Sequence, residues 1–241
     1  MIRTEELTKV FGTKVAVQGL NLEVGRGEFF CFLGPNGAGK TTTIKLLTGL
    51  LRPTSGRALI GGFDIVGEPL AAKRLLGYVP DQPFLYERLT GRELLRLVAG
   101  LYAMDGAGLA DRIAETLATF EVEDVADELV GDLSHGMRQK LSFAATFLHE
   151  PQVVVVDEPW VGLDPRSIRR VRTYLKERTR QGLTVFMSTH TLSIVEEVAD
   201  RVGVIHRGRL LVTGTVPEIT RLASRPGSLE DVFLELTRDE P

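Results

Sequence analysis

The chain begins with short extended stretches broken by turn-forming positions at Gly12, Gly25-Arg26-Gly27 and Pro53-Thr54-Ser55-Gly56. That punctuation predicts strands rather than helices over roughly the first 60 residues. Three runs, Phe29-Phe30-Cys31-Phe32-Leu33, Val153-Val154-Val155-Val156 and Thr184-Val185-Phe186-Met187, are almost continuously apolar. Such runs predict strands buried on both faces, as in a parallel sheet covered by helices. The period then changes. Leu94, Leu97, Val98 and Leu101, followed by Leu109, Ile113, Leu117 and Phe120, recur at helical spacing between charged positions, so residues 84–147 are expected to be mostly helical and to form a lobe inserted beside the sheet. The sheet is expected to resume at Gln152 and to continue past Val204-Ile205. Leu229, Val232, Phe233 and Leu236 mark an amphipathic turn or two before a polar end. The fold class that follows is α/β.

Composition narrows the picture. With 241 residues, 43% hydrophobic and 25% charged, the chain reads as one large globular domain or a core with a subdomain, not as a disordered, collagenous or coiled-coil protein. Charged residues interrupt every window of the ~18 apolar residues that a membrane span needs. The start, Met1-Ile2-Arg3-Thr4-Glu5-Glu6, lacks the basic-then-apolar pattern of a secretory signal, and a cytoplasmic location is expected. A balance of 29 Lys plus Arg against 32 Asp plus Glu, net −3, provides no global field for nucleic acid, and no such partner is expected. The lone Cys31 sits in an apolar run and reads as a buried small thiol rather than a nucleophile.

The candidate chemistry starts at Gly34-Pro35-Asn36-Gly37-Ala38-Gly39-Lys40-Thr41, which fits G-x-x-x-x-G-K-[ST] after an apolar strand and before a helical stretch expected over residues 42–51. Glycines let backbone N–H groups converge on one point, and a helix start adds positive potential, so the loop suits nucleotide phosphates. Lys40 would pair with the β and γ phosphates, and Thr41 would offer its hydroxyl to Mg²⁺. Asp157 and Glu158 end the Val153 strand, at the sheet edge where ligands bind. Asp157 would hold Mg²⁺ directly or through water, and Glu158 would polarise the water that attacks the γ-phosphate. His190 follows another apolar strand and would reach the γ-phosphate; a strand-end histidine by itself is more often a surface or capping residue, and the neighbouring motifs shift the reading toward the site. Ser134, in Leu133-Ser134-His135-Gly136-Met137-Arg138-Gln139-Lys140, is placed as a helix N-cap.

Taken in order, these segments resemble the nucleotide-binding subunit of ATP-binding-cassette transporters over residues 2–218. The resemblance implies a nucleotide-hydrolase core with a mostly parallel sheet, an N-terminal antiparallel β subdomain and an inserted helical subdomain. The 241 residues would then be one domain: 1–83 and 148–220 as the core, 84–147 as the helical subdomain with the signature, 221–241 as a tail. It implies ATP as substrate with Mg²⁺, bound by Gly34, Pro35, Asn36, Gly37, Ala38, Gly39, Lys40, Thr41 and Thr42, and two composite sites formed when two copies face head to tail. Ser134 and Gly136 of one copy would close over the γ-phosphate held by the other, with Glu158, His190 and Lys40 catalytic. Asp164 would span the dimer interface. Phe11 would stack on adenine, or else be a core residue. The second partner implied is a separate transmembrane permease, engaged near residues 81–89, which would hold the chain on the inner face of the cell membrane.

Three departures stand out. Asp81, with Gln82 next, occupies the place of a glutamine that touches the metal and the permease; either residue would take the role. His135 and Met137 replace a glycine and a glutamine of the signature, and bulky Trp160, placed at the dimer interface or beside the nucleotide, replaces a small hydroxyl residue. The signature and the segment Ser228-Leu229-Glu230-Asp231-Val232-Phe233-Leu234 resemble the ABC-2-type exporter branch, although the tail also reads as a plain amphipathic helix. The rival readings are a soluble cassette ATPase acting on a nucleic-acid or ribosomal partner, which carries coiled-coil arms or two cassettes, and a regulatory module without turnover, which lacks the carboxylate or the histidine.

Overall fold

The computed structural model describes residues 1–221 and 228–237; residues 222–227 and 238–241, part of the expected tail and its polar end, lie outside the described residues. Strands β1 (Ile2–Phe11) and β2 (Lys14–Val24) form a hairpin, and β3 (Phe29–Leu33) feeds α1 (Lys40–Leu47). There follow β4 (Ser55–Ile60), β5 (Phe63–Asp64), α2 (Pro69–Leu75) and β6 (Leu76–Val79). Helices α3 (Gly91–Leu101), α4 (Leu109–Thr119) and α5 (His135–Phe147), with a 3-10 turn at Val130–Asp132, come next. The chain then returns through β7 (Val153–Asp157), α6 (Pro165–Arg180), β8 (Thr184–Ser188), α7 (Leu192–Val198), β9 (Arg201–His206), β10 (Arg209–Gly214), α8 (Val216–Thr220) and α9 (Leu229–Leu236).

Two sheets result. An antiparallel one has the order β2-β1-β4-β5; the other, β10-β9-β3-β8-β7-β6, is parallel except for the β9–β10 edge pair. The apolar runs are explained by two-sided burial. In β3, Phe29, Cys31 and Leu33 face a core shared with the helical lobe, while Phe30 and Phe32 face a second core with Ile44, Leu46 and Leu47 of α1 and the antiparallel sheet. Val154 and Val156 against Val153 and Val155 repeat the alternation in β7. Cys31 is fully buried, and burial pushes its thiol pKa up, which disfavours the reactive thiolate. Among the described residues no helix is long and apolar enough to cross a membrane.

Some local expectations shift. α1 starts at Lys40 and stops at Leu47, short of the expected end, because the Thr48 hydroxyl bonds back to Ile44 O at 2.9 Å and Gly49 turns left-handed at φ +68°. In α3 the buried face is Leu94, Leu95 and Ala99, whereas Leu97 and Leu101 are exposed, Leu101 by 75%. The expected stripe is thus wrong at Leu97 and Leu101: the segment is apolar on more than one side, and periodicity picked the wrong rotation. Gly91 settles it: a Cβ there would lie 3.2 Å from Ala126 O. The α4 stripe is buried as expected through Ile113, Leu117 and Phe120. Phe120 stacks on Phe143 and meets Tyr174 of α6 edge-on, with ring centroids 5.8 and 5.1 Å apart. That aromatic contact fixes the lobe against the core. α9 buries Leu229 and Val232 in the same core.

Candidate nucleotide-binding site

Because β3, β7 and β8 run parallel, their C-terminal ends meet at one sheet edge, where Asp157 is in register with Ser188. A cavity of about 430 Å³ opens there, lined by Asn36, Gly37, Gly39, Lys40, Thr41 and Thr42 of the glycine-rich turn, by Asp81, Asp157 and Glu158, and by Phe11, Lys14 and Ala16. Gly34, Pro35 and Ala38 belong to the turn but do not line the cavity; a Cβ on Gly34 would lie 2.5 Å from Ile205 O. Lys40 Nζ donates to Gly34 O at 2.6 Å and Pro35 O at 3.2 Å. Gly39 has φ +111°, and a Cβ on it would lie 2.5 Å from Ala16 O, so only glycine fits.

The lining sets three carboxylates against two ammonium groups. Burial lowers the Lys40 pKa, opposed by the charges of Glu158 and Asp157. Burial likewise raises the Asp157 pKa; the Ser188 hydroxyl, which donates to Oδ1, and the nearby Thr41 hydroxyl oppose the rise, and the charges of Asp81 and Glu158 add to it. Asp157 Oδ2 is buried and has no hydrogen-bond partner among the described residues. Asp157 and Thr41 both line the cavity, and a carboxylate with one unpartnered oxygen near a threonine hydroxyl fits Mg²⁺, which is held by few protein ligands and completes its shell with phosphate and water.

A raised carboxyl pKa means that the fold favours the protonated acid, so stability is lost as pH rises through that pKa. Asp157→Asn carries no charge at any pH. At pH 7 it is expected to raise the nucleotide-free Tm. Calorimetry between pH 4 and 8 should show the gap closing toward acid; a variant that melts below the wild type would contradict the electrostatic account.

Glu158 is held in an uncommon conformation. Its φ of +43° is left-handed for a non-glycine residue, which persists only where the surroundings over-determine it. Its N–H bonds Ser188 O at 3.1 Å, and its Oε1 lies 2.9 Å from His190 Nδ1. His190 thus joins the site through Glu158 rather than by lining the cavity. Phe11 is 46% exposed at the cavity, with Lys9 Nζ 5.1 Å from its ring centroid; this is not a core position. Asp81 faces the cavity and accepts the Gln82 N–H at 2.9 Å, while Gln82 is exposed and outside the lining.

Ser134, Gly136 and Asp164 form a separate group and do not line this cavity. Ser134 caps α5, accepting the Met137 N–H at 3.3 Å. Gly136 lies against the loop before α6: a Cβ on it would sit 2.7 Å from Gly162 O, and a Cβ on Gly162, at φ +79°, would sit 2.1 Å from His135 Cδ2. Asp164 caps α6, accepting from the Arg166 and Ser167 backbones at 2.9 and 3.0 Å and from the Ser167 hydroxyl, which holds its pKa down at about 2. Trp160 is buried, and Met137 is exposed. Sequence reasoning missed Lys14, Ala16 and Ser188. Lys14 and Ala16 follow the Gly12 turn with no motif to mark them, and Ser188 was visible as a strand-end hydroxyl two positions before His190.

A profile described as ABC transporter matches residues 17–161. A probable multidrug ABC transporter ATP-binding protein of Escherichia coli is 35% identical over 99% of this chain, which spans 42% of that protein's length. The linearmycin resistance ATP-binding protein of Bacillus subtilis is 35% identical over 98% of this chain and 75% of its own. Among solved structures, an ATP-binding subunit of an ABC transporter superposes with TM-score 0.93 at 33% identity, covering 99% of this chain and 100% of that one. A dimeric bacterial ABC transporter cassette gives TM-score 0.82 at 25% identity over 89% and 98%.

Proposed function

The chain belongs to the ABC transporter family, and from that membership we propose that it hydrolyses ATP as one of two paired copies and drives a separate membrane subunit, in export. The observation that carries this reading is the division of the site. Lys40, Thr41, Asp157 and Glu158 share one cavity, whereas the Ser134-capped helix start lies outside it. A helix N-terminus is itself an anion site, and a second copy would bring its own onto the exposed side of a bound triphosphate. The dimeric cassette among the structural relatives supports such pairing.

In this reading Lys40 exchanges the Gly34 and Pro35 carbonyls for phosphate oxygens and steadies the charge that develops on the leaving oxygen. Thr41 and Asp157 would hold Mg²⁺, with Asp81 near enough to act through water; the ion neutralises phosphate charge when bound. Glu158 accepts a proton from the attacking water as a bond forms from that water to the γ-phosphorus and the β–γ bridge breaks, leaving ADP and phosphate. His190 orients Glu158. Phe11 offers its exposed ring to adenine.

The membrane partner would sit on residues 81–89, where Phe84 is 85% exposed and Tyr86 is also exposed, keeping the chain peripheral on the inner face of the cell membrane. The relatives named for multidrug and linearmycin resistance support the exporter branch. Phosphate release from Mg²⁺-ATP tests the proposal. The rate per chain is expected to rise with chain concentration and then level off as pairs saturate; a monomeric mass by light scattering in Mg²⁺-ATP at concentrations where the chain hydrolyses at its full rate would reject pairing, and absent hydrolysis would reject the activity.

A further inference from the structure

Gln139 lies on α5, the helix that Ser134 caps, and is fully buried. Its side-chain nitrogen donates to Pro80 O and Pro159 O, both at 3.4 Å. Chemistry fixes the orientation of the amide, because two carbonyl oxygens accept only from the NH₂ end. Its Oε1 is then left buried without a donor among the described residues, an arrangement that disfavours glutamine against an apolar side chain of equal length.

What glutamine secures is the backbone on either side of the reaction centre. Pro80 precedes Asp81, and Pro159 follows Glu158. Glu158 needs such support, since its left-handed backbone is pinned on one side by Ser188 O and His190 and on the other by the carbonyl that Gln139 holds. We propose that Gln139 is a positioning residue for hydrolysis: its amide clamps the Pro80 and Pro159 carbonyls, setting Asp81 and Glu158 in the cavity and tying both to the helix that Ser134 begins. This rests on the ATPase reading above and adds the residue that aligns its base.

The test is Gln139→Met, similar in length but without donors. Trp160, the sole tryptophan, directly follows Pro159 and reports on the clamped segment. Loss of the clamp is expected to lower kcat by about tenfold or more, as small misplacements of a reacting group do. KM for Mg²⁺-ATP should stay within about threefold, because the phosphate-binding turn is untouched. Trp160 emission should shift to the red and become more quenchable by acrylamide, with the circular-dichroism melt close to that of the wild type. Wild-type kcat, or a lower kcat with unchanged Trp160 emission, overturns the proposal. Should the methionine variant fail to fold, Gln139→Glu, which sets an oxygen against both carbonyls, decides by the same two readouts. A wild-type chain that does not hydrolyse ATP overturns the ATPase reading and the catalytic half of this one, and Trp160 emission still tests the clamp.

Discussion

Glu158→Gln is expected to bind Mg²⁺-ATP with wild-type affinity, to lose about 10²- to 10⁴-fold in kcat, the range for removal of a general base, and to accumulate as a dimer. The substitution keeps the side chain's size and its reach to His190, 2.9 Å from the carboxylate in the wild type. The Lys40 turn, Thr41 and Asp157 are unaltered, so the substrate still enters. A neutral amide, however, takes no proton from water. If ATP joins two copies, a pair that cannot hydrolyse it stays closed. Size-exclusion chromatography with light scattering in Mg²⁺-ATP measures the pair, and phosphate release measures the turnover. A monomeric variant, or one with normal phosphate release, contradicts both the composite site and the role of Glu158.

Lys40→Ala is expected to weaken ATP binding by about 10- to 100-fold, matching the ~1.5–3 kcal/mol of hydrogen bonds to a charged group. Lys40 holds its ammonium against the Gly34 and Pro35 carbonyls at the floor of the turn. Removing it leaves Lys14 as the one cation in the described lining, facing Asp81, Asp157 and Glu158. The loss should therefore be larger for ATP without Mg²⁺ than with it, a comparison that calorimetric titration makes directly. Unchanged affinity would remove Lys40 from phosphate recognition.

Much of the architecture was legible because it depends on local signals. The runs around Phe30, Val154 and Val185 are apolar on both sides of the chain, and only a strand between two cores needs that. The glycine-rich turn and the carboxylates were readable because each motif lies within a few consecutive residues, with the strand beside it. What escaped depends on parts of the chain far apart in sequence. The rotation of α3 is set by the approach of Gly91 to Ala126 O, which no periodicity records. Lys14 and Ala16 reach the cavity because the first hairpin folds over the turn. Phe11 admitted two readings until its exposure separated them, and of Asp81 and Gln82 only Asp81 faces the cavity. The Gln139 clamp joins Pro80 to Pro159 through a third segment, and its partners are backbone atoms that a sequence does not display.

The contact of His135 and Gly136 with Gly162 has a mechanical consequence. Neither glycine has room for a methyl group there, so the start of α5 and the loop after Trp160 are packed in direct contact. In the proposed head-to-tail pair, this packed piece would belong to two chambers at once: its serine would cap the neighbour's triphosphate, while its loop continues from the glutamate assigned to the chain's own.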